Sequence, residues 1–116
     1  MDENILVTIK RLLGIVPSDT SFDDIIVVHI NAAFSVLYQL GYSKTSYYIE
    51  SPSTDTWADA IPSREGELSF IKTYIYLKVR LAFDPPQNSF VTESIKEQIK
   101  ELEWRINVAT DYSTEG

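Results

Sequence analysis

The chain of 116 residues contains no cysteine. That absence excludes a disulfide framework, a thiolate zinc site and a cysteine nucleophile. It has four glycines, none arranged as GxGxxG or a Walker loop, so no phosphate-cradling loop is encoded. It has a single histidine, His29, with no second histidine, cysteine or paired carboxylate to make a metal site with it. We read His29 as a partly buried, hydrogen-bonded side chain beside an apolar stripe. No serine or threonine can be linked to it as a nucleophile. Basic residues are scarce: ten against seventeen acidic, for a net charge of -7. Backbone binding to nucleic acid calls for the opposite excess. There is no long hydrophobic run. The apolar stretch behind the acidic start is only a few residues long, so neither a signal peptide nor a transmembrane span is expected.

Hydrophobic residues make up 44% of the chain. That is enough for one ordinary core, burying roughly two-thirds of the unfolded surface. The apolar positions recur at helical spacing. In the first segment they are Ile5, Leu6, Ile9, Leu12 and Leu13, with Lys10 and Arg11 matching the helix dipole and Gly14 as the stop. The second helix is expected from a Ser21 cap to Leu40, ahead of Gly41, with Asp23 and Asp24 in its first turn. It carries two stripes: Phe22, Ile26, Ile30, Ala33, Leu37 and Leu40, then Ile25, Val28, Ala32 and Val36. Two apolar sides predict a central helix covered by more than one neighbour.

A polar stretch, 42–62, follows and is long for a loop. It permits a short strand at "SYYIE" and one helical turn near "DTWADAI", capped by Asp55 or Thr56. A third helix is expected from between Glu65 and Leu68 to about Phe83, with Leu68, Ile71, Tyr74, Ile75 and Val79 on one face. Pro85 ends it. A fourth is expected from an Asn88 or Ser89 cap to about Ala109, with Ile95, Ile99, Leu102 and Ile106 as a narrow seam. Glu93–Lys96, Glu97–Lys100 and Glu101–Arg105 lie at pairing distance on its polar side. Across the corner, Phe83 and Phe90 are expected to pack together, and Arg80 to reach Asp84 or the last carbonyls of its own helix. The polar end, about 107–116, is expected to fray. The fold class is therefore all-α: one domain, 1–116, of about four helices with a long loop between the second and third.

Charge is uneven along the chain. The segment 68–84 sums to +2 through Lys72, Lys78 and Arg80, whereas every other segment is acidic. One basic helix in an acidic protein can pair with a copy of itself head to tail. Tyr47, Tyr48 and Trp57, in the long loop, are aromatic residues that either plug the core or anchor a partner. Stacked Glu97 and Glu101 could hold a divalent metal, but no second acidic helix is evident to face them.

The stretches "DDIIVVHINAAFSVLYQLG", "IYLKVRLAFDPP" and "IKEQIKELEWRI", with a tryptophan and nearby acid in the loop between, occur in this order. Together they resemble the head–tail connector proteins of tailed bacteriophages and prophages, over roughly Ile5 to Ile106. The sharpest parts are "KVRLAFDPP" and "ELEWR". The resemblance implies an all-α structural protein, not an enzyme, with no cofactor. It implies a dodecameric ring of self-associated copies beneath the portal protein, extending the DNA channel and receiving the next head-completion or tail protein. DNA would pass without specific binding, and no membrane is involved. The place implied is the virion head–tail interface, after assembly in the host cytoplasm. It makes the last helix and tail the portal-docking element, here Trp104, Arg105, Ile106 and Tyr112. Lys72, Lys78, Arg80, Tyr47, Tyr48 and Trp57 are the expected subunit-interface residues. The rival readings are a small helical metal-dependent nucleotide hydrolase using Glu97 and Glu101, and a helical regulator binding a protein partner.

Overall fold

A computed structural model describes residues 3–42, 47–51, 53–61 and 65–115, with side chains omitted for 65–68 and 109–115. It is all-α. The helices are α1 (Ile5–Leu12), α2 (Asp23–Gln39), the single turn α3 (Trp57–Ala60), α4 (Glu65–Phe83) and α5 (Ser89–Glu115). The expected strand at "SYYIE" is not formed among the described residues. The only bridge there joins Asn4 to Thr56. The last helix continues to Glu115, beyond the expected end near Ala109.

The helix ends follow the local signals. Gly14 and Gly41 take φ of 83° and 87°. After each, the chain folds back: Ile15 N–H donates to the Lys10 carbonyl at 2.8 Å and Tyr42 N–H to the Leu37 carbonyl at 3.0 Å. This left-handed stop is open to glycine at little cost. Asn88 caps α5, its side-chain oxygen accepting from Phe90 N–H at 2.8 Å and Val91 N–H at 3.3 Å. Thr56 caps α3 in a reciprocal pair with Asp59. Ser21 does not cap α2. The N-cap is Phe22, with no side-chain bond, and Ser21 N–H instead donates to Asp19.

Helix α4 is central, with α2 and α5 packed along it and α1 against both α2 and α4. Contacts between distant residues fix the directions. Phe22 at the start of α2 meets Phe83 at the end of α4, ring edge to face at 5.5 Å. Tyr74 hydroxyl donates to Glu103 at 2.8 Å. Asn107 near the far end of α5 donates to the Leu40 carbonyl at the end of α2 at 3.4 Å. Hence α4 runs antiparallel to both neighbours, and α2 and α5 run the same way. The core holds Ile5, Ile9, Ile26, Ile30, Ile71, Tyr74, Ile75 and Val79 at its centre. The seam of α5 is as expected: Ile95, Ile99 and Ile106 are buried and Leu102 packs against them.

Two expectations about the apolar pattern fail. Ile25 and Val28 do not form a buried second stripe, since both are exposed, Val28 at 57%. The second buried face of α2 is carried by Val27 and Phe34. Phe90 does not pack on Phe83. It stands 86% exposed, while Phe83 has found Phe22.

Candidate assembly surface

The long loop is tied down, and its ties decide which of its aromatics are available. Asn31 on α2 holds Ile49 as a strand would: its amide nitrogen donates to the Ile49 carbonyl at 3.0 Å and its oxygen accepts from Ile49 N–H at 2.8 Å. Asn4 donates to the Ser53 carbonyl at 2.7 Å. Ile5 N–H donates to the Asp55 carbonyl at 3.0 Å and Trp57 N–H to that of Glu3 at 3.2 Å. Trp57 is driven into the core at 2% exposure. Its indole N–H donates to Thr8 Oγ1 at 2.9 Å, which satisfies the one polar atom a buried tryptophan brings.

The expected interface set therefore divides. Trp57 cannot reach a neighbour from this position: it is a core plug, and Lys72 lies over its ring at 5.6 Å. Tyr47 is half-buried, edge-to-face on Phe34 at 5.3 Å, with its hydroxyl donating to Asp55. Burial, then that hydrogen bond and the carboxylate charge, push its ionisation above the ordinary tyrosine range. Tyr48 is exposed. Lys72 and Arg80 lie eight residues apart, on one side of α4 with Tyr76 between them. Arg80 donates to Tyr76 Oη at 3.1 Å, in place of the expected bond to Asp84. That bond, with the Tyr76 and Asp84 fields behind it, strengthens its hold on the proton. Lys78 lies on a different side of the helix and makes no ion pair among the described residues. The basic helix is not one cationic face.

The expected docking set divides as well. Ile106 is 5% exposed and belongs to the seam, because it continues the Ile95–Ile99–Leu102 spacing. Trp104 is 66% exposed. Arg105 bonds Glu101 at 2.8 Å and lies over the Phe70 ring at 5.8 Å. The side chain of Tyr112 lies outside the described residues, as do those of Leu68 and Asp2.

The three predicted intrahelical ion pairs of α5 are present: Glu93–Lys96, Glu97–Lys100 and Glu101–Arg105 at 3.1, 3.6 and 2.8 Å. Glu97 and Glu101 are thus matched to cations of their own helix. Among the described residues no group of three His, Cys, Asp or Glu could hold a metal ion, and no helix is long and apolar enough to cross a membrane.

What the surface does offer is apolar. Phe90 and Trp104 stand fourteen residues apart on one outer line of α5, about 21 Å at 1.5 Å per residue. Helix α2 also exposes Ile25 and Val28. The phage connector protein family model matches residues 5–113. The chain belongs to that family. No curated protein and no solved structure matches it significantly. The connector is a structural phage protein of the head–tail region, a family whose partners are other head and tail proteins.

Proposed function

We propose that this connector acts by assembly, forming a ring beneath the portal that extends the DNA channel toward the tail. The observation that carries the reading is the outer face of α5. This helix buries a single narrow seam, yet it presents Phe90 and Trp104 to solvent. Exposed aromatics of that size are the side chains that anchor protein interfaces. The acidic balance of the chain, -7 overall, suits a channel wall past which DNA slides without sticking. Trp104, Arg105 and the residues that follow are the portal-docking element on this reading. Lys78 is the α4 cation best placed to meet a neighbouring carboxylate, since Lys72 and Arg80 already serve Trp57 and Tyr76.

Electron microscopy of the protein mixed with its portal tests the reading. The expected result is a ring of connector density on the tail-facing side of the portal. Reversing charge at Lys72 and Lys78 together is expected to abolish it. Portal particles that stay bare at saturating connector would sink the assembly reading. Normal rings from the double charge reversal would remove the α4 cations from the contact.

A further inference from the structure

The two corners of the fold lie at one end of the bundle. Lys10, at the end of α1, meets Asp23, at the start of α2, at 2.8 Å. Phe22 beside it meets Phe83, at the end of α4, six residues before α5 begins at Ser89. At this end Phe22, Ile25, Val28 and Phe90 are all exposed. From Ile25 to Gln39, α2 carries no Asp, Glu, Lys or Arg, and its one titratable imidazole, His29, is half-buried. Ile25, Val28, Ala32 and Ser35 are exposed and recur at three- and four-residue steps along one line. A solvated helix face is normally charged, and depletion of charge is the mark of an interface core. The stripe has the pattern of a buried face and no neighbour within the chain.

The charges around it are unbalanced. Three cations near this end are occupied, Lys10 by Asp23, Arg11 by Glu3 and Arg80 by Tyr76, and Lys78 lies on a different side of α4 from Arg80. Asp24 and Asp84 are exposed and make no ion pair among the described residues. A partner with an aromatic anchor and free cations would fit. The same chain carries one on α5, fourteen residues beyond Phe90, where Trp104 stands exposed with Arg105 beside it and Lys100 one turn before it. Both cations make exposed pairs within α5, and Arg105 also lies over the exposed Phe70 ring. Such pairs contribute about 0–1 kcal/mol each, so they exchange partners readily.

We infer that a second copy of this chain covers the uncharged α2 stripe and the Phe90 corner, and that it does so with the Trp104 face of its own α5. The inference rests on the assembly reading and deepens it, moving Trp104 and Arg105 from the portal contact to the contact between copies. Two unlike faces make a heterologous contact, the kind that propagates from copy to copy and forms a ring where the rotation closes.

A chain without cysteine allows a direct test. Ser21→Cys marks the corner and Glu101→Cys marks the α5 face; both positions are exposed. The two variants are mixed and treated with a short bis-maleimide, alone and with portal. The expected product is the mixed 21–101 dimer, at least tenfold over either homodimer. Trp104→Ala, at an exposed site that leaves the fold intact by circular dichroism, is expected to lower that yield tenfold or more, as loss of an interface anchor does. A dominant 101–101 product means isologous pairing of α5 and overturns the inference. So does absence of the 21–101 product in both conditions. Rings on portal without that product overturn the contact alone. Solution 21–101 product with bare portal overturns the portal reading alone.

Discussion

Lys10 Nζ lies 2.8 Å from Asp23 Oδ1, at a lysine only 2% exposed. Its directed hydrogen bond goes to the Pro17 carbonyl at 2.9 Å. One side chain thus joins the end of α1, the connecting loop and the start of α2. The charge sits where the α1 carbonyls point outward and Asp23 where the α2 amides do, so both helix dipoles favour the arrangement. This ion pair is the inner wall of the corner whose outer wall is the apolar surface.

Lys10→Ala is expected to cost about 3–5 kcal/mol, the range for breaking a buried pair and leaving one charge unmatched. Lys10→Met together with Asp23→Leu should recover most of that, losing chiefly the favourable charge in the first turn of α2, about 0.3–1 kcal/mol. Urea midpoints with unchanged slopes would measure both. A single-variant loss below about 1 kcal/mol would mean that the pair is solvated and contributes as a surface pair does.

The Asn31 clip leads to a second expectation. Asn31→Leu removes both partners of Ile49 at once, and net hydrogen bonds are worth about 0.5–1.5 kcal/mol each. The loss should be about 1–3 kcal/mol, with fast amide exchange at Ile49 while the α2 and α4 amides stay protected. Exchange unchanged at Ile49 would show that Trp57 and Asn4 hold the loop without it.

Helix existence and helix ends were legible because they are local. Pro85 removes a donor and restricts Asp84, Asn88 offers a cap, and Gly14 and Gly41 accept a positive φ; each effect acts within five residues. The α5 seam was legible because only one neighbour covers it. Legibility failed where the deciding partner is far along the chain. Lys10 read as a dipole residue, since nothing near it announces Asp23. Asn31 drew no reading at all, since Ile49, which it holds, is eighteen residues away. In α2 the apolar pattern is nearly all round, so the buried pair Val27 and Phe34 could not be told from exposed Ile25 and Val28. Trp57 was ambiguous for a related reason: the hydroxyl that satisfies it, on Thr8, belongs to the first helix.

Two tyrosines set the alkaline limit. Tyr74 is buried and donates to Glu103, and burial, then that bond and charge, push its ionisation well above the ordinary range. Tyr47 is raised for the same reasons against Asp55. In the unfolded chain both would ionise near pH 10. Raised folded values mean the native state keeps its protons where the unfolded state loses them. Their contribution is therefore intact below about pH 10 and declines as pH rises above it. Tyrosinate absorbance should show these two ionising only with unfolding, and Tyr74→Phe should flatten the decline. Seven tyrosines titrating together near pH 10, before any loss of helix, would contradict it.

The two tryptophans give the sharpest contrast in the molecule. Trp57 is enclosed and hydrogen-bonded, while Trp104 stands in water. In a Trp104→Phe chain the remaining emission should be blue-shifted and nearly insensitive to iodide, with or without portal. In a Trp57→Phe chain the emission should be red-shifted and strongly quenched when free, and become protected on assembly. That chain should also be less stable by about 1–3 kcal/mol, because Thr8 loses its donor in a buried site. Its folded fraction should first be checked by circular dichroism. Trp104 emission that stays fully quenchable in assembled rings would take this residue out of every contact assigned to it. Quenchable Trp57 in the free chain would return the loop to the list of partner-facing surfaces.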